Sequence, residues 1–585
     1  MLDIYILLCK REKSIILLVP FSDPVTFSIN RSINSHTSNT PKLMKNSRLT
    51  SSVLILLVLS LSFCVSWGSR YSISDVTPTS EDFITCLQSN SNDATTISQL
   101  IFTPDNSSFL PVWEVAVNVL RFNNPSTPKP TVILTPTEET HIQAALFCAK
   151  KHGYEMRIRS GGHDFEGLSY TANAPFVMLD LVNMRSIDIN VENRTAWVQG
   201  GALLGELYYT ISQSTNTLYF PAGMCPSVGV SGFLSGGGYG NLVRKYGIGA
   251  DNVLDAHFMD VSGNILDRES MGEDLFWAIR GGGASSFGIV LAWKLMLVPV
   301  PERVTLFIVS VTLEQGATDI FHKYQYVLPN FDRDLQMRVQ INSEYISNTN
   351  NKTIRILFHG IYQGNTDTLL PLLNQSFPEL NVTREICQEV RMVQSTLQFG
   401  GFPTLGPVEV LANRSAIPKT NFKSKSDYVR TPIPKSGLIE IWEKLFENDM
   451  SEMLQMYTFG GKMEEYSDTA IPYPHRAGVL YQVYKTVNLI DQPSDTTTVS
   501  LRRIAWLRSF DKTLEPYVSS NPREAYLNYI DLDLGVGNGS YEEASVWGER
   551  YWKRENFKKL IRIKTKVDPE NFFRHPQSIP PLSDM

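Results

Sequence analysis

Apolar positions recur along this chain in two rhythms. Between residues 131 and 212, short apolar runs alternate with stretches of helical spacing. Residues 131–135 read as a buried strand, 156–159, 176–181 and 195–198 as further strands, and 203–212 as a helix. Another helix opens at Pro136-Thr137 with Glu138 and Glu139 in its first turn, where the helix dipole favours acids, and Gly153 closes it. A further strand is expected over 253–261, ending in a turn at Ser262-Gly263-Asn264. After Pro299-Val300-Pro301 the rhythm changes: 304–313, 337–341 and 353–362 behave as antiparallel strands, with helical stretches at 367–373 and 438–446. Residues 526–534 alternate apolar and polar, and 547–564 form an amphipathic helix. Residues 70–126 read as a polar, irregular segment joined to the rest by the proline-rich stretch 123–130. The fold class is therefore α+β. A first domain covers 127–302, a second, one antiparallel sheet covered by helices, covers 303–520, and 521–585 returns to the first.

Composition refines this picture. At 585 residues the chain exceeds one ordinary core. A net charge of −6 gives no electrostatic reason to bind nucleic acid or an anionic membrane. Residues 53–63 form an apolar run preceded by Met44, Lys45 and Arg48 and followed by small residues, the layout of a signal peptide over 44–69, and too short for a stable membrane span. Residues 1–43 read as an upstream extension with Met44 the natural start; the competing reading is a genuine N-terminal extension. Beyond the signal stand Cys86, Cys148, Cys225 and Cys387, which an oxidising compartment permits to pair. Asn106, Asn193, Asn351, Asn374, Asn381, Asn413 and Asn538 occupy glycosylation sequons. No metal site is expected.

The chemistry concentrates in two glycine-rich stretches. One is Arg159-Ser160-Gly161-Gly162-His163-Asp164; the other runs from Gly223 through Cys225, Val228, Gly229, Gly232, Gly236, Gly237 and Gly238 to Tyr239. Their backbone amides suit a diphosphate, while a lone imidazole and a lone thiol can both add to an electrophilic flavin ring. Taken singly, a His beside Gly-Gly is more often a turn residue and a Cys among glycines a buried filler.

Together with Gly281-Gly-Gly-Ala-Ser-Ser-Phe-Gly288, Tyr526-Leu-Asn-Tyr529 and Asp568-Pro-Glu-Asn-Phe-Phe573, these stretches resemble the plant berberine bridge enzyme-like flavoproteins of the vanillyl-alcohol oxidase superfamily, over roughly residues 80 to 580. The resemblance implies a PCMH-type FAD-binding domain, a substrate domain and a closing berberine-type segment. It also implies FAD held twice, by His163 at the 8α-methyl and Cys225 at carbon 6, with Asn528 among the cofactor contacts. Tyr239, Tyr484, Tyr529 and Gln482 become the catalytic candidates. Gln482 and Tyr484 stand on a strand where alkaloid-oxidising members carry a glutamate base, so a phenol base acting on an alcohol is the favoured reading. Phe165 and Phe233 replace a common Tyr and His. Val228 takes the position whose small side chain separates oxidases from dehydrogenases. The family pattern pairs Cys86 with Cys148 and leaves Cys387 a free, buried thiol. The expected protein is a secreted, monomeric oxidase of the cell wall, apoplast or endomembrane lumen, acting on a small-molecule or oligosaccharide alcohol with O2 as acceptor. An alkaloid oxidase and a catalytically weakened flavin- or sugar-binding wall protein are the alternatives.

Overall fold

The computed structural model describes residues 5–7, 16–18 and 79–585, apart from 448–451, 491–495, 538 and 583–585. One unit, Met1–Val76, contains an antiparallel pair of strands, Tyr5–Leu7 and Ile16–Leu18. The expected signal segment 44–69 and the sequon at Asn538 lie outside the described residues. The second unit, Thr77–Met585, holds three main sheets.

The first of these has four strands in the order Ile101–Phe102, Val132–Leu134, Phe176–Asp180, Glu155–Arg159, the last three parallel. The helix Glu139–His152 packs on it through Ile142, Ala145 and Ala149 and ends at Gly153, whose φ of 72° is the left-handed conformation glycine adopts without penalty. Cys148 of this helix is disulfide-bonded to Cys86 of the helix Ser80–Ser89. Residues 79–122 are thus not irregular: Ser80–Ser89, Ala94–Gln99 and Phe109–Glu114 are helical. Thr79 and Asp93 cap the first two through their side chains, so polar residues that suggest a loop by composition are helix N-caps.

The second sheet is antiparallel, in the order Ile265–Leu266, Val253–Met259, Ile289–Met296, Thr195–Gln199, Ile187–Asn190. Its inner face buries Val198, Phe258 and Trp293 against a core that includes Leu207 and Ile211 of the helix Leu204–Ser214. The third is antiparallel and seven-stranded: Gln388–Val390, Val304–Thr312, Lys352–Tyr362, Leu335–Tyr345, Glu452–Thr458, Tyr481–Asn488, Phe422–Val429. One of its faces presents Val339, Ile341, Phe358, Met456 and Val483 to helices that include Ala317–Val327 and Lys435–Phe446. Each such side chain contributes about 1.5–3 kcal/mol by leaving water. The opposite face is polar. Register places His359, Arg338, Tyr457, Gln482 and Tyr428 in one cross-strand row, and Gln340, Gln455, Tyr484 and Ser426 in the next.

The alternating segment 526–534 forms two short 3-10 turns, Leu527–Tyr529 and Leu532–Leu534. The helix Tyr541–Val567 follows, broken at Lys553 (φ 56°). From it Trp552 donates to the Gly281 carbonyl at 2.9 Å and Lys564 to that of Ser286 at 2.6 Å, fastening the C-terminal segment beneath the glycine turn. The sequon asparagines 106, 193, 351, 374, 381 and 413 are exposed, and Cys387 is half-buried rather than buried. No described helix is long and apolar enough to cross a membrane.

Candidate functional site

A cavity of about 540 Å³ opens between the two glycine-rich loops, the polar face of the seven-stranded sheet and the 526–530 segment. The first loop leaves the strand Glu155–Arg159. Arg159 does not line the cavity: its fully buried guanidinium pairs with Asp180 at 2.6 Å and donates to the carbonyls of Val112 and Trp113, pinning the base of the loop. The loops then meet backbone to backbone. A Cβ on Gly161 would lie 2.3 Å from the Gly229 nitrogen, and one on Gly229 would lie 2.3 Å from Ser160 Oγ. Such closeness is open only to glycine.

That approach brings the two nucleophiles together. His163 Nε2 stands 2.9 Å from Ser227 Oγ, and Cys225 Sγ stands 3.4 Å from the same oxygen. The two atoms are therefore less than twice 3.4 Å apart. Burial drives the His163 pKa down to about 4, so its imidazole is neutral, with a lone pair to offer, at neutral pH. Asp164 is the one carboxyl lining the cavity among the described residues. Burial raises it to about 6, and it accepts hydrogen bonds from the Glu166 and Leu168 amides at 2.9 Å.

Across the cavity lies an aromatic cluster. Tyr239 and Tyr529 share a hydrogen bond of 2.5 Å, Phe165 stacks on Tyr529 at 5.1 Å, and Tyr484 lies 4.8 Å from it. Burial pushes the Tyr239 and Tyr529 phenols far above their ordinary value and raises Tyr484, so all three are protonated at neutral pH. The Tyr526 hydroxyl accepts from the Gly238 amide at 3.0 Å and the Asn528 amide at 2.8 Å, and Asn528 also donates to the Phe233 carbonyl. The C-terminal segment thus clasps the second glycine loop.

Of the residues expected at the site, Ser160, Gly161, Gly162, His163, Asp164, Gly223, Cys225, Val228, Gly229, Gly232, Tyr239, Tyr484, Asn528 and Tyr529 line the cavity, as do Phe165 and Phe233. Gly236, Gly237 and Gly238 lie behind it. Gly236 packs on Asn528, Gly237 on Tyr473 and Gly238 on the Phe233 ring. Gln482 is also displaced: it shares a face with Tyr484 but sits one row deeper, between Tyr457 and Tyr428, with both amide atoms buried and unpartnered. Residues not anticipated are Ser227, Met224, Gln455, Tyr457 and Arg338. Arg338 is buried, forms no ion pair among the described residues, and faces the phenols of Tyr457, Tyr239 and Tyr529. Polar residues at alternate positions of an apolar strand are the only sequence signal for it.

The lining fits a flavin nucleotide. Gly232 would direct a Cβ into open space, the hydroxyls of Ser169 and Ser231 are buried without partners, and backbone, imidazole and thiol donors converge on one hollow.

Comparison with known proteins agrees. Residues 130–268 match the family described as FAD binding domain, and residues 525–580 the family described as berberine and berberine like. A tetrahydroberberine oxidase of Berberis wilsoniae is 46% identical over 509 residues, 86% of this chain and 94% of that protein. A monolignol oxidoreductase of Arabidopsis thaliana is 44% identical over 533 residues, 90% and 97% of the two chains. The crystal structure of Phl p 4, a grass pollen allergen with glucose dehydrogenase activity, superposes with a TM-score of 0.80 at 38% identity, covering 86% of this chain and 100% of that one.

Proposed function

The chain belongs to the berberine bridge enzyme-like family of FAD-binding oxidoreductases, and from that premise we propose that it is a secreted, monomeric oxidase of alcohol groups on carbohydrate or phenylpropanoid-type substrates. FAD, when bound, would supply the electron sink for hydride removal from an alcohol carbon, with dioxygen as the acceptor and hydrogen peroxide as the product. His163 and Cys225 would hold the ring at two points, since a neutral imidazole and a thiol converge on one hydroxyl. This convergence is the observation that carries the reading. Ser160, Gly161, Gly162, Asp164, Gly223, Gly229 and Asn528 would bind the rest of the nucleotide, while Val228 leaves space for oxygen beside it.

The Tyr239–Tyr529 pair would receive the alcohol proton. It can do so only after losing a proton of its own: the short hydrogen bond would spread that phenolate charge over two oxygens until the alcohol proton neutralises it, and the Arg338 cation would offset part of the cost of holding the charge in a buried site. Tyr484 and Phe165 would position the substrate beside Tyr529. The signal segment, the exposed sequons and the Cys86–Cys148 disulfide support delivery to the apoplast, cell wall or endomembrane lumen. The relatives include a tetrahydroberberine oxidase, but the cavity's one described carboxyl, Asp164, belongs to the first glycine loop, where its Oδ1 accepts from two backbone amides, and not to the aromatic cluster, which favours the alcohol reading over amine oxidation.

The test is acid precipitation of the purified protein, followed by its visible spectrum and peptide masses. Flavin on peptides containing His163 and Cys225, with peroxide released on a panel of sugars and phenylpropanoid alcohols, is the expected result. Free FAD in the supernatant removes the double attachment, and silence across the panel with flavin bound points to a binding protein.

A further inference from the structure

Met224 precedes Cys225 in the second glycine loop and lines the cavity, half-buried. Arg338 Nη1 lies 3.8 Å from its sulfur and the Tyr457 hydroxyl 3.3 Å from it, the single phenol proton being shared with the closer Asn241 amide oxygen. A thioether is a weak acceptor, yet it faces a phenol and a buried cation that has no carboxylate partner among the described residues. A sulfoxide oxygen is a strong acceptor: it would give Arg338 the partner it lacks among the described residues and compete with the Asn241 amide oxygen for the Tyr457 proton. The surroundings also suit the reaction that makes one: breaking an O–O bond expels hydroxide, and donors already in place stabilise that developing charge.

We propose that Met224 is an oxidative modification site, converted to methionine sulfoxide by the hydrogen peroxide that the site itself produces, a proposal that rests on the oxidase reading above. A sulfur lone pair attacks one peroxide oxygen, forming the S–O bond as the O–O bond breaks. The proton left on the sulfur-bound oxygen goes to the departing hydroxide, giving water. Sulfur loses two electrons and peroxide gains them. The product draws Arg338 toward the new oxygen and away from the phenols it faces, so turnover retunes the site's proton chemistry.

Met296, 43% exposed, and Met456, fully buried, provide internal references. Holoenzyme is turned over on an alcohol in the presence of catalase, digested, and the three methionine peptides are weighed. Met224 gains one oxygen while Met296 does not, because catalase removes only peroxide that has left the cavity. An unoxidised Met224, after as many turnovers as label Met296 without catalase, overturns the proposal. In a second arm peroxide is added without substrate. Met224 reacts at least as fast as the more exposed Met296, and Met456 stays intact; a Met224 about tenfold slower than Met296 overturns the site. If no alcohol yields peroxide the oxidase reading has failed, and this second arm decides the site by itself. Tyr457→Phe slows Met224 labelling about threefold or more relative to Met296, and an unchanged ratio removes the assisting role. In Met224→Leu, progress curves normalised to the initial rate lose their catalase-insensitive drift, and a persisting drift overturns the retuning.

Discussion

Gly161→Ala tests the contact on which the site depends. The new Cβ would lie 2.3 Å from the Gly229 nitrogen, 2.8 Å from its Cα and 3.0 Å from the Ser227 carbonyl. Ordinary contact begins near 3.4 Å, and all three neighbours are backbone, so no rotamer change relieves the overlap. The loops must part by about 1 Å at an overpacking cost of about 1–3 kcal/mol. Ser227 rides on the displaced loop, so the hydroxyl shared by His163 and Cys225 moves with it. A misplacement of about 1 Å costs roughly a hundredfold in rate when reacting groups must be aligned. The measurements are thermal midpoint, the fraction of flavin retained after acid precipitation, and turnover with oxygen. A variant with wild-type midpoint, complete flavin attachment and a rate within about twofold would refute the reasoning.

Other expectations follow from the same geometry. Val228→Ile should slow reoxidation by oxygen roughly tenfold while leaving substrate reduction nearly unchanged, as stopped-flow traces of the two half-reactions would reveal. Glu524 is buried, which raises its pKa, but hydrogen bonds from His475 and Arg430 outweigh that and hold it far below its ordinary 4.5. Its contribution is therefore present above pH 4.5 and lost as pH falls; Glu524→Gln should cost about 3–5 kcal/mol near pH 7, and melting curves of the two proteins should converge in acid. The disulfide closes a 62-residue separation, so the double Cys86→Ala, Cys148→Ala variant should lose about 4 kcal/mol in denaturant unfolding, with no change for the wild type under non-reducing conditions.

Local signals account for what the sequence made legible. The strand Glu155–Arg159 and the helix Glu139–His152 carry their own punctuation, apolar runs bounded by glycine and by acids at a helix start. The glycine loops and their two nucleophiles are contiguous motifs. The row of side chains beneath the cavity is not: Arg338, Tyr457 and Tyr428 become neighbours only through a register spanning more than a hundred residues, which no local pattern encodes. Gln482 shows the same limit, since period two placed it on the correct face but not in the correct row. The segment 526–534 alternates like a strand, yet it turns, because Tyr526 and Asn528 spend their polar groups on Gly238 and Phe233 rather than on a ladder.

The clasp made by Tyr526, Asn528 and Trp552 has a consequence for synthesis. The glycine loops are translated long before the residues that hold them in place, and Trp552 reaches Gly281 only when the chain is almost complete. A nascent chain therefore cannot close the hollow around a nucleotide while those last residues are still inside the ribosome. Cofactor loading is thus expected to follow completion of the chain, and a product terminated before Trp552 to retain no flavin.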